Sequence, residues 1–210
     1  MSDFQGENTL KHVDVFKEIG NIGAGNAASA LADLLGRQIT MSVPEASVVN
    51  FNAIADVMAG PEELVAGVLI DFTGDMIGYV LLMLKIDDAM SMVSGVLKQQ
   101  QRRLTVHNNS LTDIESDALL EISNILVGSF LSSISTFTGL NVKPSVPQIA
   151  IDMLGAIISI ATIEYGKIGD SVLLLKTQFC YTDNESAGHF FLIPDYSSYK
   201  KLLNSIGLDS

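Results

Sequence analysis

Apolar residues recur every three to four positions along two long stretches of the chain, one in each half. This period places apolar side chains on one side of an α-helix. Each stretch stops at a glycine, Gly36 or Gly139, which we expect to take the left-handed conformation that follows a helix C-terminus. The pattern therefore predicts two long helices, roughly Leu10–Leu35 and Thr112–Thr138.

Shorter elements follow each long helix in the same order. A segment with β-branched residues, QITMSVP or LNVKPSVP, comes first and is typical of a short strand. A short helix is expected next, near Ala53–Ala59 in the first half and at about Asp152–Tyr165 in the second. The second of these segments is rich in isoleucine, so periodicity alone leaves a strand as an alternative.

Each half then continues with two strands and a closing helix. The strands are separated by a polar turn, TGD in the first half and TDNESA in the second. The closing helices are amphipathic, and we expect Asp88 and Asp195 to cap their N-termini. The four predicted strands are Leu64–Phe72, Met76–Leu84, Asp170–Cys180 and Gly188–Ile193.

The two halves are related by an internal repeat. A shift of 103 residues lays Asp14–Pro44 over Asp117–Pro147 without a gap. This agreement of polar, glycine and proline positions indicates a duplicated unit. The matched pairs are Asp14 with Asp117, Glu18 with Glu121, Asn21 with Asn124, Gly25 with Gly128, Gly36 with Gly139 and Pro44 with Pro147.

The short segments of one half cannot bury their apolar faces alone. We therefore expect one α+β domain with pseudo-twofold symmetry, in which the two long helices lie side by side on a shared, mostly antiparallel sheet. The predicted division of residues 1–210 is a first repeat at 10–98, a polar linker at 99–110 and a second repeat at 111–208. Because a duplication often replaces a homodimer interface, we expect a monomer.

Composition narrows the possible partners and the compartment. The chain has 24 Asp and Glu against 12 Lys and Arg, which disfavours nucleic acids and anionic membranes and favours partners that present lysine or arginine. One cysteine, Cys180, excludes an internal disulfide. The N-terminus lacks a signal-peptide pattern, and the longest apolar run, about Met153–Ile163, is too short to span a bilayer. We expect a cytoplasmic protein without membrane insertion.

The segment Gly23–Ala28 fits the glycine pattern of dinucleotide-binding loops. Such a loop needs a strand before it, and the preceding residues do not have a strand pattern. The second repeat also replaces Gly23 and Ala24 with Leu126 and Val127. We therefore expect the glycines to let another element pack close to the helix backbone.

One face of each long helix carries the polar residues that the repeats share. Asp14, Glu18 and Asn21 are spaced i, i+4 and i+7, which aligns them along the helix, and Asp117, Glu121 and Asn124 repeat this spacing. Taken separately, the acids are typical of a solvated helix surface, and the prolines are typical of the ends of edge strands. An isolated asparagine could bond a loop carbonyl or persist from the duplicated ancestor. Asparagine inside a helix is unfavourable, however, and its repetition with the two acids indicates a functional task. Apolar neighbours that we expect to anchor the helices include Val15, Ile19, Ile22, Leu120, Ile122 and Ile125.

Other catalytic chemistry is sparse. His12, His107 and His189 are scattered, without the spacing of a metal site, and the Gly-x-Ser-x-Gly motif of serine hydrolases is absent. Cys180 lies in an apolar strand pattern and is more typical of a core residue than of a nucleophile. A reaction catalysed by this chain would therefore depend on positioning and electrostatics.

The doubled pattern Asp/Ser-x3-Glu-x2-Asn-x22-Pro resembles the CheC/CheX/FliY family of bacterial chemotaxis phosphatases, and most of all its CheC members. The resemblance covers nearly the whole chain, including EIGNIGAGNAASAL, EISNILVGS and DMLGAIIS. It implies a signal-transduction enzyme that hydrolyses the aspartyl phosphate of the response regulator CheY. By resemblance, Asn21 or Asn124 holds a water in line with phosphorus, as the glutamine of GTPases does. Glu18 or Glu121 pairs with the active-site lysine of the regulator.

The resemblance also implies supporting residues and a cofactor arrangement. Asp14 and Asp117 would support docking, and Pro44 and Pro147 would shape the adjoining loop. The protein would need no cofactor of its own, because the regulator supplies Mg²⁺.

The same family resemblance implies a second partner, the receptor deamidase CheD. Its contact region corresponds to Asp152, Met153 and Leu154, although an apolar segment of this kind is also typical of a core. An alternative hypothesis for the whole chain is a non-catalytic binding module for CheD or CheY. A binding module should tolerate loss of the two asparagine amides better than loss of Glu18 or Glu121.

Overall fold

The structure is a computed structural model that describes residues 7–50, 60–98, 108, 110–165, 171–181 and 184–207. The two long helices predicted from the apolar period are confirmed. The predicted helix near Ala53–Ala59 and nearly all of the predicted linker lie outside the described residues. The described helices are α1 (Glu7–Leu35), α2 (Ile86–Leu97), α3 (Asp113–Thr138), α4 (Leu154–Tyr165) and α5 (Tyr196–Ser205).

Seven described strands form one antiparallel sheet, with β1, β6, β7, β3, β2 and β4 in spatial order and β5 beside β2. The mostly antiparallel α+β fold predicted from the sequence is confirmed, and the isoleucine-rich segment after residue 153 is a helix. The strands are β1 (Ile39–Asn50), β2 (Leu64–Gly74), β3 (Gly78–Lys85), β4 (Val142–Pro144), β5 (Gln148–Met153), β6 (Ser171–Tyr181) and β7 (Asn184–Pro194).

The two halves exchange strands within this sheet. The first-half strand β1 pairs with the second-half strand β6, while β4 and β5 of the second half pair with β2 of the first. In the middle of the sheet the hairpins β2–β3 and β6–β7 join through the pairing of β3 with β7. Each half therefore completes the sheet of the other, which accounts for one fold built from two repeats.

Helices cover both faces of the sheet. On one face α1 and α3 pack against each other, and their buried residues join those of the strands in a large core that contains Phe16, Leu31 and Phe130. On the other face Leu154 and Ile157 of α4 pack with alternate residues of the strands in a second core. Phe130 of α3 also stacks on Phe190 of β7, with ring centroids 4.3 Å apart.

Capping residues set the helix ends. Both predicted C-terminal glycines take a positive φ, +63° at Gly36 and +73° at Gly139. Asp195 caps α5 as predicted, since its carboxylate accepts a hydrogen bond from the Ser198 N–H at 2.6 Å. The predicted cap at Asp88 is wrong: α2 begins at Ile86, and Asp88 lies in its first turn, where an acid is favoured by the helix dipole.

Gly23 lies in the middle of α1, where the helix crosses α3. A Cβ atom at Gly23 would lie 3.1 Å from the Phe130 Cα, so its absence allows the two helix backbones to approach. Residues 7–35 form one continuous helix, which excludes a phosphate-binding loop at Gly23–Ala28. The expectation of close packing is thus confirmed at Gly23. At Gly25, by contrast, a Cβ would meet no described atom within 4 Å apart from the backbone of its own helix.

Helix α3 is long and apolar enough to cross a bilayer by length and composition. In this structure, however, 56% of the qualifying stretch is buried inside the protein. A core helix passes the same test, and α3 is packed against α1.

We predict that Gly23→Ala lowers the free energy of unfolding by about 1 kcal/mol. Alanine would gain helix propensity, but its methyl group would press on the Phe130 backbone, and overpacking typically costs about 1–3 kcal/mol. Urea denaturation followed by circular dichroism would measure the change. The matched control is Gly25→Ala in the same helix, where the methyl group has open space and should raise stability. Equal stabilisation by both substitutions would contradict the close helix crossing.

Candidate functional site

The shared polar residues form one stripe along α1 and another along α3. Asp14 and Glu18 on α1 and Asp117 and Glu121 on α3 are all exposed, and none makes an ion pair with another described residue. The helical spacing predicted from the sequence is therefore present in both repeats. Among the apolar neighbours expected to anchor the helices, Ile19 and Ile122 are buried, but Ile22 is exposed, so the expectation for Ile22 was wrong. Helix α1 turns Ile22 outward, beside Asn21.

Asn21 is held by the backbone of β1. Its Oδ1 accepts a hydrogen bond from the Val43 N–H at 2.8 Å, and its Nδ2 donates to the carbonyl oxygens of Lys17, at 3.0 Å, and of Val43, at 3.4 Å. The side chain is half-buried. Both ends of the carboxamide are thus engaged within the protein.

Local sequence features bring Val43 to Asn21. A Cβ at Gly20 would already lie 3.3 Å from the Val43 side chain, so the glycine lets β1 approach the helix. Between Ser42 and Glu45, β1 advances three residues while β6 advances two, which forms a bulge at Val43 and Pro44. Pro44 has no N–H to donate to the sheet and is therefore suited to this position.

The corresponding asparagine of the second repeat differs in its exposure and hydrogen bonding. Asn124 is exposed, and its carboxamide makes no hydrogen bond with the described part of the chain. Val146, the repeat equivalent of Val43, is 80% exposed, whereas Val43 is 0% exposed. Pro147 is buried where Pro44 is exposed. The segment beside the second stripe has therefore turned its valine away from the core.

Strand pairing accounts for this difference. In the first repeat β1 continues through its bulge along a single partner, β6. In the second repeat the strand is interrupted between β4 and β5, and there the Ser145 N–H donates to the Asp71 carbonyl at 2.8 Å while Ser145 Oγ accepts from the Asp71 N–H at 3.2 Å. Ser123 also replaces Gly20, and its Oγ donates to the Leu119 carbonyl inside the helix. The repeats thus share a motif but not its surroundings.

The chemistry available on the second stripe is that of positioning. A carboxamide offers two N–H donors and one oxygen acceptor, enough to orient a water molecule, and a neighbouring carboxylate can pair with a cation. Exposed carboxylates, and an amide that makes no hydrogen bond with the described residues, are suited to binding a second molecule. These exposed groups form a surface site on a helix.

His189 does not add an acid–base group to these stripes. It lies on β7 opposite Lys176 of β6, and burial, together with the positive charges of Lys176 and Lys85, lowers the pKa of its imidazole to about 4. It is therefore neutral at physiological pH. His12 and His107 lie outside the residues whose side chains the structure describes.

The segment proposed to contact a second partner is divided between surface and core. Asp152 and Met153 are exposed at the end of β5, and the Asp152 carboxylate accepts a hydrogen bond from the Met153 N–H at 2.8 Å. Leu154 is 0% exposed and belongs to the second core. The expectation that Leu154 faces a partner is therefore corrected, because α4 begins at this residue and turns it onto the sheet.

Sequence reasoning did not identify Val43 as the partner of Asn21. The hydrogen bonds use backbone atoms of β1, which carry no residue signal. The substitution of Gly20 by Ser123 between the repeats was visible, and it marks the position where the two surroundings differ.

Comparison with known proteins agrees with the doubled motif. A model of the CheC-like family matches residues 12–48 and 114–151. The chain is 32% identical over 209 residues to the CheY-P phosphatase CheC of Bacillus subtilis strain 168, with 99% of both chains covered. It is 29% identical over 168 residues to the flagellar motor switch phosphatase FliY of the same strain, which covers 79% of this chain and 41% of that protein.

A solved structure supports the same assignment at the level of the fold. The crystal structure of Thermotoga maritima FliY superimposes with a TM-score of 0.75 at 20% identity and covers 95% of this chain and 98% of that one. The family model falls on the same segment of each repeat, from the polar stripe to the proline. With the full-length identity to a CheC protein, these matches establish that the chain belongs to the CheC-like family.

Proposed function

We propose that this protein is a phosphatase of the phosphorylated chemotaxis response regulator CheY. The observation that carries the proposal is the exposed, uncommitted carboxamide of Asn124, one turn from the exposed carboxylate of Glu121. Relatives described as phosphatases, one of them aligned along the whole chain, support the same activity. The enzyme is thus a hydrolase of a protein aspartyl phosphate.

The reaction needs little covalent chemistry from the enzyme. An aspartyl phosphate is a mixed anhydride, and water attacks its phosphorus atom as the bond to the carboxylate oxygen breaks. The products are inorganic phosphate and the free aspartate of the regulator. The Asn124 carboxamide enters the regulator's active site and holds the attacking water in line with that bond, in the way a glutamine does in GTPases. Such positioning supplies several kcal/mol of a reaction barrier.

Glu121 and Asp117 set the docking geometry. Glu121 pairs with the active-site lysine of the regulator, and Asp117, one turn before it, supports the approach. Glu18, Asn21 and Asp14 have the same roles in the first repeat. The net charge of −12 favours a lysine-bearing partner.

The cofactor, the compartment and the oligomeric state follow from this scheme. Mg²⁺ belongs to the regulator, where it neutralises charge on the phosphoryl group, and the enzyme contributes no cofactor of its own. The reaction takes place in the cytoplasm, where response regulators act. The two repeats, 10–98 and 111–208, work as one domain and as a monomer.

A second function, binding of the deamidase CheD, is supported by the exposed apolar side chains near the start of α4. Met153, the last residue of β5, is 37% exposed, and Ile160 of α4 is 62% exposed. We propose that these two side chains, with the exposed Asp152 next to Met153, form one apolar patch with an acidic edge. Exposed apolar patches of this kind mark protein contacts. Leu154 supports this patch from inside the core.

We predict that Asn124→Ala lowers the acceleration of CheY dephosphorylation on the order of 10²-fold, as expected for loss of water positioning. Asn21→Ala should have a smaller effect, because the Asn21 amide must first leave Val43 before it can reach a substrate. Phosphate release from Mg²⁺-loaded, phosphorylated CheY measures both, and the double variant should fall to the regulator's own rate. The matched control is Asn26→Ala, an exposed asparagine of α1 outside the stripe.

The free energy of unfolding provides a second measure of the difference between Asn21 and Asn124, independent of activity. Asn21→Ala leaves the buried Val43 N–H without its partner and should cost about 1–2 kcal/mol, whereas Asn124→Ala should leave stability unchanged or higher. A larger loss of activity for Asn21→Ala than for Asn124→Ala would contradict the assignment of the second repeat as the more accessible site.

Normal binding of CheY with no acceleration by the native protein would instead support the non-catalytic binding module. In that case Glu121→Gln should weaken binding more than Asn124→Ala.

We predict that Met153→Lys weakens CheD binding at least tenfold, since a charge would replace an exposed apolar side chain of the proposed patch. Titration calorimetry with purified CheD measures the affinity, and phosphatase activity should stay within twofold of the native value. Ile77→Lys, an exposed apolar residue between β2 and β3, is the matched control. Unchanged affinity in the Met153 variant would place the CheD contact elsewhere.

A further inference from the structure

Gly25 and Gly128 occupy the same place in the two polar stripes. Each follows its asparagine by four residues and its aspartate by eleven. At about 100° per residue, the glycine direction falls between those of the aspartate and the glutamate, about 40° from the asparagine and one turn further along the helix. From the N-terminal end, the order of residues along both stripes is therefore Asp, Glu, Asn, Gly.

No contact within the described part of the protein accounts for these two glycines. A Cβ at Gly20 would meet Val43, and a Cβ at Gly23 would meet Phe130, so those glycines serve internal packing. Gly36 and Gly139 have a positive φ at helix ends. A Cβ at Gly25 or Gly128 would meet no atom within 4 Å, and neither residue has a positive φ.

Glycine at such a position reduces helix stability relative to alanine. Both repeats nevertheless carry it on the face that holds the functional side chains. Since no contact with the described residues gains from the missing Cβ, we infer that the benefit arises when another molecule binds to this face. Asparagine has a short side chain, and for its amide to enter a partner's active site the helix backbone must come close to the partner surface.

We propose that Gly25 and Gly128 determine how closely the phosphorylated regulator can dock, by presenting bare helix backbone to the segment of the regulator that borders its aspartyl phosphate. This inference rests on the proposed function. A methyl group on the stripe, one turn beyond the asparagine, strikes that segment and withdraws the carboxamide from the phosphoryl group. The glycines act as specificity-determining residues that admit a partner able to pack against backbone.

The experiment compares the Gly25→Ala/Gly128→Ala double variant and both single variants with the native protein. The double variant should melt about 4–8 °C higher, because alanine is the better helix former at each of the two positions. Its kcat/KM for phosphorylated CheY should fall at least tenfold, as should its affinity for CheY charged with Mg²⁺ and beryllium fluoride. A residue with a merely structural role would change stability and activity in the same direction.

Asn26→Ala/Thr136→Ala is the matched control, because both positions are exposed, lie outside the stripes and gain helix propensity on substitution. It should raise the melting temperature similarly and leave kcat/KM and affinity within twofold of the native values. Native kcat/KM and affinity in the glycine double variant would overturn the inference while the proposed function stands. A native protein that binds charged CheY but does not hydrolyse its phosphate would overturn the phosphatase alone, and the affinity measurement would still decide the role of the glycines. A native protein that does neither would overturn both.

Discussion

The exchange of strands between the two halves is the constraint on which the rest of the structure depends. Because β1 pairs with β6, and β4 and β5 pair with β2, neither half has a complete sheet without the other. The exchange places α1 and α3 together on one face, and their crossing at Gly23 brings the two backbones close. The acidic residues of both stripes stay exposed while the opposite sides of the helices fill the core. A surface site on each helix is the direct result of this packing.

The duplication produced two copies of a motif, but strand pairing gave them different surroundings. In the first copy the bulge at Val43 faces the helix, and the backbone engages both ends of the Asn21 amide. In the second copy the strand is interrupted, Val146 points outward and Asn124 makes no hydrogen bond with the described residues. A hydrogen-bonded amide must lose its partners before it can orient water, and an exposed amide meets no such cost. The same asparagine side chain can therefore differ in reactivity between the two repeats of one fold.

A site made from carboxylates and a carboxamide on a helix can contribute position and charge but no nucleophile. For such a site, the distance at which the partner docks decides how much the amide can do. In the proposed complex, the side chains of the stripe reach toward the partner, and the absent side chain at Gly25 and Gly128 allows the partner to approach the helix. The proposed chemistry and the proposed docking distance are thus linked through the helix backbone.

The amino-acid sequence by itself determined the two long helices, the repeat, the glycines at the helix C-termini and the spacing of the polar stripes. Each of these depends on the local period of apolar residues or on local backbone conformation. It also carried the family assignment, since the doubled motif and the full-length identity are properties of the chain alone. Tertiary structure decided the strand exchange, the burial of Leu154, the exposure of Ile22 and the hydrogen bonds of Asn21. These depend on contacts between residues distant in sequence, and the atoms that hold Asn21 belong to a strand backbone that has the same chemistry at almost every residue.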